Sequence, residues 1–413
     1  FEIFVKFETI GNATLIVYEK NKPILSTDVW FDEYDAYYGS WRTSHIIPAK
    51  QKENILRSPY IFISHFHPDH LNLKSLTRLK SSTILLGDHY KGRVEKDLRK
   101  LGFNVISLPP RKWITISNNI RIMLFCNHLQ DTGLLIELTD NVGEKSLLIN
   151  LNDSAGIGFK REVSKISKNY KNSFYLALHG YGDADMINLF DFKGRKILPK
   201  AALKLPVGIE IQKSMQSFNA NIAIPFSSHH QYQRSDSFWA NEYITPLEAY
   251  THGFKQSKSQ LLLNSFQSVQ LFDGKYISED INPQKLIIDK PIHESKFGDN
   301  WSDTLTESNL IECKDYFNNI DTLKKNFNEI ALSVGGKKHK ILQGKGAKAK
   351  LIFKVPKSSL MRSIRNETFD DLLIGNYMET YIKNMESLYS PDFTLSVSKY
   401  SDNGSAKTAD LSL

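Results

Sequence analysis

One short string limits this chain more than any other feature. Tyr60-Ile61-Phe62-Ile63-Ser64 reads as a short buried strand, and it runs directly into His65-Phe66-His67-Pro68-Asp69-His70. In an extended segment, side chains two positions apart point the same way, so His65 and His67 can converge on one ion. Asp69 and His70 lie past the strand end, where the turning chain can present them to a second ion. Imidazole and carboxylate suit zinc, iron or manganese rather than calcium. An apolar strand that feeds such a cluster needs the buried charge compensated, which a solvent-facing polar loop would not.

Composition narrows the class around this string. The chain has 413 residues, of which 41% are apolar and 24% charged, which excludes disorder and fibrous architectures and suggests two or three domains. Its two cysteines, Cys126 and Cys313, allow neither a disulfide scaffold nor a four-cysteine zinc or iron–sulfur site within the chain. No apolar run approaches the roughly 18 residues of a spanning helix. The start, Phe1-Glu2-Ile3-Phe4-Val5-Lys6, has neither a basic n-region nor a small-residue cleavage site. A cytoplasmic location without a membrane partner is the expectation. The net charge is a mild +8, and part of it lies in Lys337, Lys338, Lys340, Lys345, Lys348, Lys350, Lys354 and Lys357. That stretch is read as a solvated, flexible loop rather than a nucleic-acid surface.

The pattern along the chain is α/β or α+β with more than one sheet layer. Strands are expected at 60–63, 82–86, 105–108, 113–116, 120–126, 134–138 and 147–151, with helices at 73–79 and 94–101, the second ending at Gly102. A Tyr- and Trp-rich segment at 31–50 reads as a loop. A second composition zone, polar and weakly periodic, begins near Ile281-Asn282-Pro283. Phe369, Leu372, Leu373, Tyr377, Tyr381, Met385 and Leu388 recur at spacings of mostly three or four, which predicts a helix ended by Pro391. The expected organisation is a catalytic domain at 1–285 and a smaller C-terminal accessory α+β domain at 286–413.

The histidine string resembles the metallo-β-lactamase superfamily, and so do Gly11-Asn12-Ala13-Thr14 and Ile24–Phe31, which look like that superfamily's opening hairpin with its buried Asp. The resemblance implies an αββα sandwich for the first domain. It implies that His65, His67 and His128 hold one metal, that Asp69 and His70 hold a second, and that Asp153 bridges them. A last metal histidine is expected within Ile224-Pro225-Phe226-Ser227-Ser228-His229-His230, where His230 is preferred to His229. A closer similarity is to the catalytic portion of the CMP-N-acetylneuraminate hydroxylase family. It is carried by 61–70, Asp131-Thr132, 149–153, 224–228 and the tail string Phe369-Asp370-Asp371-Leu372-Leu373-Ile374-Gly375-Asn376-Tyr377-Met378. That family carries a Rieske domain needing two cysteines and two histidines, for which this chain has no matching pair.

Two iron ions are preferred to zinc, and with them the resemblance implies an oxygenase or hydroxylase acting on an anionic sugar-nucleotide-like or carrier-linked small molecule, with an external reductase supplying electrons. With zinc, the same ligand set gives a hydrolase of an ester, thioester, lactone or phosphodiester. Asp69, Asp153 and His230 are the catalytic candidates. Trp41, Arg42, His179, Tyr181 and Arg234 are candidates for holding substrate, because arginine clamps anions, rings stack on bases or sugars, and the glycines of His179-Gly180-Tyr181-Gly182 let backbone N–H groups approach a ligand. A tight turn is the alternative reading of that last segment.

Overall fold

A computed structural model describes residues 4–184, 186–345 and 348–398. Lys345 and Lys348 are thus described, while Phe1-Glu2-Ile3 lies outside the described residues.

Alternation of side chains along the strands builds two facing sheets. The first has the order Lys275–Asp280, Gln267–Phe272, Val5–Ile10, Thr14–Glu19, Lys22–Thr27, Tyr60–Phe62, Thr83–Gly87, Asn104–Leu108. It is antiparallel as far as Lys22–Thr27 and parallel beyond. The second has the order Leu261–Leu262, Ile222–Pro225, Asn172–Ala177, Lys145–Asn152, Thr132–Thr139, Ile120–Cys126, Ile114–Ser117, with the same change from parallel to antiparallel. Val5, Phe7, Leu15 and Val17 point inward from the first sheet, and Ile122, Leu124, Leu134, Ile136, Phe174 and Leu176 meet them from the second. The residues between them face outward. Ile16 and Tyr18 pack under Ile55, Leu76 and Leu98 of the helices Ala49–Arg57, Leu73–Thr77 and Arg93–Lys100. Leu135, Ile149 and Tyr175 pack under Val163 and Ile211 of the helices Lys160–Ser167 and Val207–Ser217. The architecture is therefore the expected αββα sandwich. Gly102, at φ +83°, closes the helix at 93–100 in a left-handed turn that a side chain would strain.

A third sheet has its own core, with Phe317, Leu332, Phe353, Leu360, Phe369, Leu373 and Phe393 among the fully buried residues. Its order is Lys196–Ile197, Leu189–Asp191, Glu379–Lys383, Lys350–Lys354, Glu329–Val334, Lys337–Gln343. Residues 189–197 thus leave the sandwich's stretch of sequence to pair with Glu379–Lys383 in the C-terminal unit.

Three sequence expectations change here. The helix expected over 369–388 is only Asp370–Ile374, followed by the strand Glu379–Lys383. Gly375 and Asn376 break it, the latter at φ 60°, and Thr380 and Ile382 then alternate inward as in a strand. The lysine stretch is largely ordered, because Lys338, Lys340 and Lys350 surround Glu329 at 3.7, 3.5 and 3.4 Å across neighbouring strands. The aromatic loop at 31–50 contains the strand Trp41–Thr43, which pairs with His230–Tyr232. No helix among the described residues is long and apolar enough to cross a membrane.

Arg234 ties the sandwich to the C-terminal unit. Its side chain is fully buried. Nε and Nη2 donate to Asp236 at 2.9 and 2.8 Å, and Nη1 donates to Asp299 at 2.8 Å and to the Tyr38 carbonyl at 2.9 Å. The guanidinium also lies 3.8 Å from the centre of the Tyr377 ring. Asp299 in turn accepts from the Ser359 N–H and hydroxyl at 2.9 and 2.5 Å. Arg234→Leu leaves Asp299 buried without its cation, and the expected cost is about 3–5 kcal/mol in chemical unfolding. A loss below about 1 kcal/mol would show that the pair does not hold the units together.

Candidate metal centre

Strand ends deliver the histidine string. Tyr60–Phe62 lies parallel between Lys22–Thr27 and Thr83–Gly87, and its continuation crosses the rim of the sandwich. Asp28 follows the neighbouring strand in a left-handed conformation, φ 42°, and its N–H donates to the Phe62 carbonyl at 2.8 Å. Its carboxylate then accepts from the Ser64 N–H at 2.8 Å and from Asn152 Nδ2 at 2.5 Å. Asn152 ends a strand of the opposite sheet, where a register shift between 150 and 152 turns it toward the rim.

This scaffold orients two rings. His70 keeps Nδ1 toward Asn152 Nδ2 at 3.0 Å and Asp28 at 3.4 Å, so Nε2 faces Asp69 at 3.1 Å and Asp153 at 3.7 Å. His65 keeps Nδ1 on the Ser64 hydroxyl at 2.9 Å, so its Nε2 faces Asp153 Oδ2 at 3.7 Å and His67 Nδ1 at 3.1 Å. His65, His70 and Asp153 each offer an atom within 4.8 Å of the others, a group that could hold a metal ion. Fixing one imidazole nitrogen by a hydrogen bond is how a protein aims the other at a ligand.

A second group forms around His67. Its Nε2 lies 3.3 Å from Asp370 Oδ2, and Asp371 completes a second set of atoms within 4.8 Å of one another. These aspartates belong to the tail string at 369–378 and were not among the sequence candidates. The signal was two adjacent acids at the head of an otherwise apolar segment.

Electrostatics reflect the crowding. Burial works against the charged form of His67, but the hydrogen bond and charge of Asp370, with Asp371, raise its pKa to about 9. Burial and the neighbouring imidazoles hold His65 well below its ordinary value. Burial opposes the Asp69 charge, yet His70 and the Tyr37 hydroxyl at 2.6 Å keep that carboxyl below the usual range, and Asn12 Nδ2 donates to it at 3.0 Å. Burial pushes Asp153 up, and it pushes Asp131 up to about 7 with help from the Asp153 charge. Among the described residues, no lysine or arginine pairs with Asp69, Asp153 or Asp370.

The remaining sequence candidates fall in distinct places. His128 is exposed and belongs to neither group. Asn127 Oδ1 accepts from the Leu129 and Asp131 N–H groups at 2.9 and 3.0 Å, a turn that leaves His128 in solvent and buries Asp131. His229 and His230 are both buried, and neither is in the two groups. The His230 ring stacks on Trp41 with centroids 3.5 Å apart and planes within 5°, and its Nδ1 lies 3.7 Å from Asp183. Arg42 donates to the Asp32 carbonyl at 3.2 and 3.0 Å. His179 Nε2 lies 3.2 Å from the Tyr175 hydroxyl. The Tyr181 N–H donates to Thr245 Oγ1 at 2.5 Å, which occupies the backbone of the glycine turn. Arg234, the other anion candidate, is the buried strut described above.

No family model and no curated protein matches the sequence. Among solved structures, an isothiocyanate hydrolase from Delia radicum gut bacteria is 14% identical, covering 64% of this chain and 99% of its own, with a TM-score of 0.39. The metallo-β-lactamase fold protein YhfI from Bacillus subtilis is 11% identical, covering 64% and 98%, with a TM-score of 0.34. A diphosphatase of the PhnP family is 10% identical, covering 67% and 98%, with a TM-score of 0.34. At these scores the likeness adds nothing to the chemistry of the site.

Burial holds His229 and His230 at about 3. An unfolded imidazole takes up its proton near 6.5. Between those values the unfolded chain binds more protons, so stability is full above about 6.5 and falls as the pH drops toward 3. The melting temperature of metal-free protein is expected to fall from pH 7 to about pH 4.5, and to fall less in His229→Asn. An equal fall in that variant would place the acid sensitivity elsewhere.

Proposed function

We propose that the protein is a dinuclear metal-dependent enzyme that hydrolyses a small anionic substrate. The observation that carries this reading is the convergence of two sets of imidazole and carboxylate atoms, joined by the 3.1 Å approach of His65 to His67. The residues fit metal ions. His70 Nε2 is buried without a well-aligned hydrogen bond although it faces two carboxylates, and Asp370 Oδ1 is buried without a partner. Buried carboxylates that lack a cation are costly. His65, His70 and Asp153 would hold one ion, and His67 faces the second.

Divalent cations there supply Lewis acidity toward an oxygen of the scissile bond and acidify water. The chain's own groups do the rest. Asp28 and Asn152 fix the ring of His70, while His70 and Tyr37 keep Asp69 ionised and Asn12 helps to hold it in place. Burial holds His230 neutral, so it positions the wall of the site rather than storing a proton. Trp41 stacks on that ring and fixes its plane. The net +8 charge favours an anion.

The donor set also supports an oxidative reading with two irons, because it is rich in carboxylate and poor in thiolate. The motifs shared with the CMP-N-acetylneuraminate hydroxylase family point the same way. Burial raises the Cys126 thiol to about 11 and the Cys313 thiol to about 12, and Cys313 Sγ sits 3.9 Å from Met361 Sδ in the C-terminal core. This chain's cysteines are therefore unsuited to carrying electrons, and a separate reductase would have to supply them.

Protein expressed with iron and zinc both present should carry two metal ions and hydrolyse at least one aryl ester, thioester, lactone or phosphodiester. His65→Ala and Asp153→Ala should each lower that rate at least about 100-fold, with metal loss and an unchanged circular dichroism spectrum. Oxygen uptake on chemical reduction, without any hydrolysis, would transfer the assignment to the oxidative reading. Full activity in either variant would remove the dinuclear site.

A further inference from the structure

We propose that the C-terminal unit completes the metal centre, with Asp370 and Asp371 binding the second ion together with His67. The inference rests on the dinuclear reading and extends it, because neither part of the chain then holds the whole site.

Three independent features support it. The first is proximity, since one atom from each of the three residues lies within 4.8 Å of the others. The second is an unmet need. Asp370 is 4% exposed, its Oδ2 meets His67 at 3.3 Å, and its Oδ1 is buried with no hydrogen-bond partner. A carboxylate withdrawn from water with one oxygen idle calls for a cation. Asp371 beside it is 8% exposed, so the negative charge is doubled in the same place.

The third feature is how firmly the segment is held. Tyr38 shares a hydrogen bond with Thr368 Oγ1 at 3.1 Å on one side of the aspartates. On the other side, Ser40 Oγ donates to the Gly375 carbonyl at 2.5 Å, and Asn376 Nδ2 donates to the Tyr232 hydroxyl at 2.7 Å. Leu372 and Leu373 are sunk in the C-terminal core. The pair is thus clamped against the sandwich from both flanks, with little freedom to swing away from His67. His128, which the family resemblance puts forward as a third ligand, stands in solvent and leaves that place to the aspartates.

The rival explanation is a latch, in which Asp370 pairs with a protonated His67 and no ion takes part. Metal content separates the two. Full-length protein is stripped with chelator, reloaded with Zn²⁺, freed of excess and measured by mass spectrometry for metal per chain. The wild type and His128→Ala should hold two ions, and Asp370→Asn and Asp371→Asn should each hold one. Added Zn²⁺ should raise the melting temperature of the wild type more than that of either Asn variant. Two ions retained in both Asn variants would overturn the inference and leave the dinuclear reading intact. Fewer than two ions in the wild type would overturn both. Loss of an ion in His128→Ala but not in the Asn variants would return the place to His128. Should Asp370→Asn fail to fold, Asp371→Asn alone decides the matter.

Discussion

The buried carboxylate of Asp28 is the contact on which the rim of the sandwich depends. It joins three things that the sequence keeps apart: the Ser64 N–H at the head of the histidine string, Asn152 at the end of a strand in the opposite sheet, and the ring of His70. Neither sheet alone could hold those histidines, because each contributes only half of the support. Asp28 and Asn152 both occupy the left-handed region, as do Ser227 and Ser228 nearby. Each such residue costs on the order of 1 kcal/mol or more. Four of them around one site indicate that the local geometry is imposed by the surrounding hydrogen bonds rather than preferred by the backbone.

That geometry concentrates charge in a place with little water. The titration shifts run in opposite directions for a single reason. Asp69, which receives donors from Tyr37, Asn12 and His70, is held in the charged form, while Asp131 and Asp153 are pushed toward the neutral one. His67, facing two aspartates, is raised, and His65, lowered first by burial and then by two facing imidazoles, moves the other way. Among the described residues, no lysine or arginine pairs with Asp69, Asp153 or Asp370, and the imidazoles nearest to them serve as stand-ins. Cations bound at the two groups would remove the conflict on every one of these residues at once.

Much of this was legible in sequence for identifiable reasons. Short continuous apolar runs marked most strands of the sandwich, because both sheets bury one face against each other and the opposite face under helices. The histidine string was legible because its imidazoles and carboxylate are local, and Ser64 and Asp153 lie at strand ends whose apolar runs are plain. What escaped were the partners brought in by topology. Asp370 is 303 residues from His67. The segment around it reads as a helix by spacing, since Leu372, Leu373, Tyr377 and Tyr381 recur at near-helical intervals while serving a short helix, a turn and a strand in succession. His128 illustrates the converse. Its neighbours match the expected motif, but the side chain of Asn127 caps the turn so that Asp131 is the residue buried. Arg234 looked like an anion clamp because arginine in a loop usually is one, whereas two aspartates and a backbone carbonyl consume its donors here.

The C-terminal unit is stitched to the sandwich in a way that bears on the open space beside the centre. Residues 189–197 leave the sandwich to enter the third sheet, and Asn376 and Gly375 return to touch Tyr232 and Ser40. A chain that crosses between two cores more than once cannot hinge about a single linker. Beside the centre, His65, Phe66, Gly87, His89, Arg93 and Thr132 line a small open cleft. Arg93 on its rim is paired with Glu367, three residues before Asp370. The same short stretch of the C-terminal unit therefore borders both the His67 cluster and the space next to it. A displacement of that stretch would disturb the charge balance at His67 and the Arg93–Glu367 pair on the rim of the cleft together, so the placement of the unit and the electrostatics around His67 are coupled.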